Sequence, residues 1–149
     1  MTTVYFYVLG KNTAQDRMEF CCRLAARAFR EGRRVYIHTQ NAEQTQILDE
    51  LLWAYQSGAF IPHSSAVHQP APVNIGHADV PAGHDDVLIN LSDPIPGFFS
   101  RFERVMEIVI QDEAVLNQTR QHYKFYRERG YDVTHHDQRN EPQGADHAR

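Results

Sequence analysis

Cysteine is nearly absent from this 149-residue chain: there are two, Cys21 and Cys22, side by side. Neighbours on a helix point about 100° apart, so they cannot bridge within the helical pattern they occupy, and both are expected to pack as small apolar residues. That excludes a disulfide framework and leads us to expect a reducing, cytoplasmic setting. Long apolar runs are missing too. None is long enough to span a bilayer, and the first residues enter a strand pattern at once, so neither a membrane segment nor a secretory signal is expected. A basic excess is also lacking. With a formal net charge of -4 and a pI near 6.1, a global grip on nucleic acid is not expected, although a local patch is compatible with these values.

The motifs of common chemistries are absent as well. GKNT at 10–13 resembles the end of a P-loop, but the upstream glycine is missing and Asn12 stands where a Ser or Thr would meet magnesium. There is no GxGxxG, HExxH, CxxC, nucleophile elbow or paired-carboxylate pattern. Nine histidines are present, but His63, His68, His77 and His84 are scattered through a polar loop. With His38 and Asp93 they leave a metal-dependent hydrolase as an alternative, against the simpler reading of polar loops on a globular domain. No catalytic residue, metal or cofactor is expected.

What is present is an alternation of strands and helices. VYFYVL at 4–9 reads as a strand buried on both faces. Thr13 and Asp16 form a capping box for a helix through Glu31, with an apolar stripe of Met18, Cys21, Cys22, Ala25, Ala28 and Phe29. Its opposite side carries Arg23, Arg27 and Arg30, which leaves direct single-stranded DNA binding as a second alternative. RVYIH at 34–38 is the next strand, expected to pair in parallel with the first. Asn41 and Gln44 then open a helix through about Tyr55, with Ile47, Leu48, Leu51, Leu52 and Tyr55 toward the core. Trp53 falls off that stripe; it either covers the following loop or awaits a partner. Residues 56–86 read as a long connection with one or two short strands, VNI at 73–75 among them. VLINL at 87–91 is the expected central strand, residues 98–101 a helical turn, and 102–110 a further strand.

Residues 112–130, DEAVLNQTRQHYKFYRERG, read as a helix with Asp112 as N-cap and Gly130 as its stop. Val115, Leu116, Thr119, Tyr123 and Tyr126 make one face, and Arg120, Lys124 and Arg127 a neighbouring one. Such cations beside a phenol suit a carboxylate or phosphate, though the pattern alone favours an ordinary solvated face. A short strand over 131–133 is expected to end a single domain of residues 1–133, followed by a disordered polar tail over 134–149. The fold class is α/β: a Rossmann-like three-layer fold with a mostly parallel central sheet and helices on both faces.

The order of VYFYVL, GRRVYIHTQN, LDELLWAYQSGAFIPH, DDVLINLSDPIP and QHYKFYRERGYDV resembles the chi subunit of bacterial DNA polymerase III holoenzyme, up to about Val133. The resemblance implies a non-catalytic accessory subunit of the clamp-loader complex in the cytoplasmic, nucleoid-associated replisome. It implies two partners: the psi subunit, as a 1:1 heterodimer, and the acidic, Phe-terminated C-terminal tail of single-stranded DNA-binding protein (SSB). A repair helicase competing with psi is a family-level alternative. DNA would be met mainly through SSB, and no membrane is implied. The psi surface is implied at Trp53, Phe60, Pro62 and His63, and the SSB-tail pocket at Val109, Arg120, Tyr123, Lys124, Arg127 and Gly130. Leu116 departs from the basic residue expected there in some members, which implies a weaker hold on the acidic part of the tail.

Overall fold

The computed structural model describes residues 1–55, 61–66, 69–78 and 83–140. Its centre is a seven-stranded sheet, every pairing parallel. In chain order the strands are β1 (Thr3–Leu9), β2 (Val35–His38), β3 (His63–Ser64), β4 (Val73–Gly76), β5 (Val87–Asn90), β6 (Arg104–Val109) and β7 (Asp132–Gln138). They lie in the order β3-β4-β2-β5-β6-β1-β7, with β5 in the middle as its continuous apolar run requires; all four of its residues are buried. β1 and β2 are parallel but not neighbours. β2 lies between β4 and β5, and β1 between β6 and β7, because later strands fill the gap that their crossover opens.

Helices α1 (Ala14–Arg30) and α2 (Ala42–Ala54) cover one face, and α3 (Glu113–Glu128) with a 3₁₀ turn at Phe99–Arg101 covers the other. Thr13 caps α1 by accepting from the Asp16 amide at 3.1 Å, and Asn41 caps α2 by accepting from the Gln44 amide at 2.9 Å. The two faces hold separate cores. Tyr7, Phe20, Cys21, Leu24, Leu48, Ile89 and Ile108 belong to the first; Phe6, Tyr36, Leu88, Phe102, Val105 and Tyr126 to the second. Alternate residues of β1 thus feed both layers. Cys21 and Cys22 are free and buried, and burial pushes both thiols up, Cys22 to about 12.

The last strand corrects an expectation. The strand expected over 131–133 runs on to Gln138, so residues 134–138 are not tail: each pairs with β1, from Thr134 with Tyr5 to Gln138 with Leu9. An edge strand needs little apolar periodicity, since half its surface faces water and its order comes from the ladder on one side. Gly10 fits the same picture. A Cβ there would stand 2.6 Å from the carbonyl oxygen of Arg139, so the chain leaving β7 passes where only glycine leaves room.

Candidate functional site

Asp112 starts α3 by accepting from the Val115 amide at 3.2 Å, and Gly130, at φ +83°, ends it in the left-handed conformation that favours glycine. Arg120, Tyr123 and Arg127 lie three and four residues apart, on one stripe of the helix. Tyr123 is half-buried. Its ring meets Phe6 edge-on at 6.0 Å, and His135 of β7 stands 5.2 Å away. The Arg127 guanidinium sits 5.7 Å from the Tyr123 centroid. Arg120 and Lys124 are exposed; Arg120 donates to Asn117 Oδ1 at 2.6 Å, and Lys124 stands 3.9 Å from Glu128. Both contacts are at the surface and cost little to exchange for a ligand carboxylate. Val109 is buried at the end of β6, in the apolar cluster to which Leu116, Val8 and Tyr123 belong. The helix thus brings Arg120, Tyr123, Lys124 and Arg127 together over an apolar floor. Gly130 is ten residues beyond Arg120, roughly 15 Å along the axis, and serves as the cap.

On the other face, Trp53 of α2 is 60% exposed. Its ring packs 4.6 Å from His63, whose Nδ1–H donates to the Ile61 carbonyl at 2.7 Å and whose Nε2 stands 3.5 Å from Asp49 Oδ1. Pro62 and His63 line a shallow groove of about 550 Å³ with Ser64, Gln69 and Pro70 to Pro72. Phe60 lies outside the described residues. His68, another of the loop histidines, lies outside the described residues. His38 meets the Tyr36 hydroxyl at 3.4 Å, His77 the Thr45 hydroxyl at 3.2 Å, and His84 Asn74 at 2.7 Å. Among the described residues no three His, Cys, Asp or Glu are placed to share a metal ion. Nor, among them, is any helix long and apolar enough to cross a membrane.

The family model of the DNA polymerase III chi subunit, HolC, matches residues 1–134. The chain belongs to the chi family. It is 42% identical to the DNA polymerase III subunit chi of Pseudomonas aeruginosa over 137 residues, covering 91% of this chain and 96% of that one. The chi subunit of Haemophilus influenzae is 33% identical, covering 89% and 94%, and that of Escherichia coli 31% identical, covering 89% and 96%. The family identification drawn from the motif order therefore stands, and so does the parallel α/β fold.

What residue patterns did not reveal in this chi chain is the polar cluster that seats α3. Glu107, in the middle of β6, is buried. Its Oε1 accepts from His122 Nδ1 at 2.9 Å and its Oε2 from the Tyr126 hydroxyl at 2.8 Å, while Asn90 Nδ2 approaches at 3.4 Å. The other ring nitrogen of His122 donates to the Asp93 carbonyl at 2.7 Å. Acceptors face both ring nitrogens, an arrangement that favours the imidazolium form. Burial opposes that charge, but the Glu107 carboxylate outweighs it and the His122 pKa is raised. Burial and the same carboxylate push the Tyr126 phenol up, keeping it a donor. Arg17 of α1 donates to the Ile108 carbonyl at 2.9 Å beside this cluster. One signal was available in the sequence: a glutamate inside the apolar run VMEIVI needs a buried partner.

Proposed function

We propose that this chi chain is a non-catalytic adaptor of the cytoplasmic replisome that joins the psi subunit to the C-terminal tail of SSB. The observation that carries the reading is the α3 surface. Exposed Arg120 and Lys124, with Arg127 over Tyr123, stand beside half-buried rings and the apolar cluster that includes Val109. An acidic peptide ending in Phe offers this surface what it can hold. Its α-carboxylate and acidic side chains accept charge-assisted hydrogen bonds from the cations, and its terminal ring covers apolar surface near Tyr123. Leu116, half-buried in the same cluster, gives the ring more apolar contact and the acidic residues one cation fewer.

Psi is assigned to the opposite layer, where Trp53 is the large aromatic left exposed among the described residues, beside Pro62 and His63, with Phe60 as a further proposed contact. Because α2 and α3 cover opposite faces of the sheet, both partners have room to bind at once. The test is titration of a labelled SSB C-terminal peptide. Micromolar binding, on the order of 8 kcal/mol, is expected. Arg120→Ala should weaken it by roughly 1.5–3 kcal/mol. Unchanged binding in that variant would move the pocket off α3, and no binding at high concentration would overturn the adaptor reading.

A further inference from the structure

On the sheet face that holds α1, the two outer strands carry a row of rings. His136 of β7 stacks on Tyr7 of β1 with centroids 4.8 Å apart and planes 11° from parallel, and on Tyr5 at 5.8 Å and 26°. Tyr7 continues inward to Phe20 of α1 at 5.6 Å. β7 is the last strand of the sheet, so the stack ends at His136, and among the described residues no ring covers its outer face. His136 is half-buried and Tyr5 likewise.

Cations flank this row. The Arg23 guanidinium lies 4.9 Å over the Phe20 ring. Arg27, exposed one turn further on, lies close enough for its charge to act on both Tyr7 and His136. Glu31 stands 3.6 Å from Arg27 and Asp132 shares the register of Thr3, so the patch is not purely basic. The Arg27–Glu31 contact is a surface pair of the kind that contributes little and exchanges readily. Burial, helped by Arg27, lowers the His136 pKa, so at neutral pH the ring is an uncharged imidazole.

We propose that this face is a weak binding site for single-stranded DNA, with a base stacked on the outer face of His136 and phosphates on Arg27 and Arg23. The chemistry favours a nucleic acid over an acidic peptide. A ring at the sheet edge flanked by cations is what sequence-tolerant single-strand binding uses. The site is separate from the α3 surface: His136 and Tyr7 point to the α1 side, while His135 and Phe6 point to the α3 side. It goes beyond the adaptor reading by letting the chain touch the strand that SSB covers.

The experiment is fluorescence anisotropy of a labelled oligo-dT strand with the full chain over a salt series, without SSB. Saturable binding is expected at low salt. If two phosphates are held, log K should fall against log salt with a slope of about -1.4. Arg23→Gln/Arg27→Gln should weaken binding at least tenfold at low salt and flatten that slope. His136→Ala should weaken it several-fold, and His136→Phe, which keeps a ring, should restore it. Arg120→Ala should leave it unchanged, which separates this site from the peptide surface. No saturation at low salt, equal binding by the arginine double variant, equal binding of a blunt duplex, or loss in Arg120→Ala would each overturn the proposal.

Discussion

His84 is sealed in the molecule, donating from Nε2 to Asn74 Oδ1 at 2.7 Å, while its Nδ1 has no hydrogen-bond partner among the described residues. Burial first, and Arg34 second, lower its pKa to about 4 from an ordinary 6.5. Below 6.5 the unfolded chain takes up a proton that the folded chain refuses. Stability should therefore fall as pH drops from 6.5 toward 4, by roughly 3 kcal/mol from this residue. Urea unfolding across that range should show the loss, and His84→Phe should remove most of it. His122 works in the opposite sense. Its raised pKa gives a contribution complete below the ordinary histidine value and lost as pH rises through the folded value. An NMR titration of the His122 ring should give a midpoint above 6.5; one below it would contradict an imidazolium bound to Glu107. Neither behaviour follows from composition, because each depends on which atoms surround one ring.

At the scale of the element, α3 was legible in its limits and only partly in its orientation. The Asp112 cap and the Gly130 stop stand where the residue types place them. Of the expected core stripe Tyr126 is fully buried, while Val115, Leu116, Thr119 and Tyr123 are half-buried, and the other deep contact is His122. Both Tyr126 and His122 bond Glu107; of the two only His122, a polar residue seated on a buried carboxylate, lies outside what an apolar stripe can register. His122→Ala would leave Glu107 buried and lacking its charge partner. It should cost roughly 3–5 kcal/mol in chemical denaturation. Gly130→Ala, at positive φ, should cost about 1 kcal/mol. His122 is buried, whereas Gly130 is exposed at the end of the helix.

At the scale of the molecule, the sheet separates the face that carries Trp53 from the face that carries Arg120. Trp53→Ala removes a side chain that is 60% exposed, so it should change stability by less than about 0.5 kcal/mol. Under the adaptor reading it should abolish or strongly weaken capture of psi while leaving SSB-peptide titration unchanged, and Arg120→Ala should do the reverse. A psi complex that still forms with the Trp53 variant would move that surface. β7 ties the edge together. A chain ended at Val133 loses the pairing of Tyr5 through Leu9 and the rings of His135 and His136. It should melt several degrees below a chain ended at Asn140, as followed by circular dichroism.

Strand and helix order, the caps at Thr13, Asn41 and Asp112, the central place of VLINL and the family itself were determined by the sequence alone. These depend on local chemistry and on the spacing of motifs along the chain. The order β3-β4-β2-β5-β6-β1-β7, the length of β7 and the Glu107–His122–Tyr126 cluster were decided only by the tertiary structure. The physical reason is common to all three. Strand neighbours, edge pairing and buried charge partners are contacts between residues far apart in the chain, and no local preference carries them. The arginine row of α1 spans both cases: its spacing was visible in the sequence, but the stacked rings beside it came together only when β1 and β7 paired.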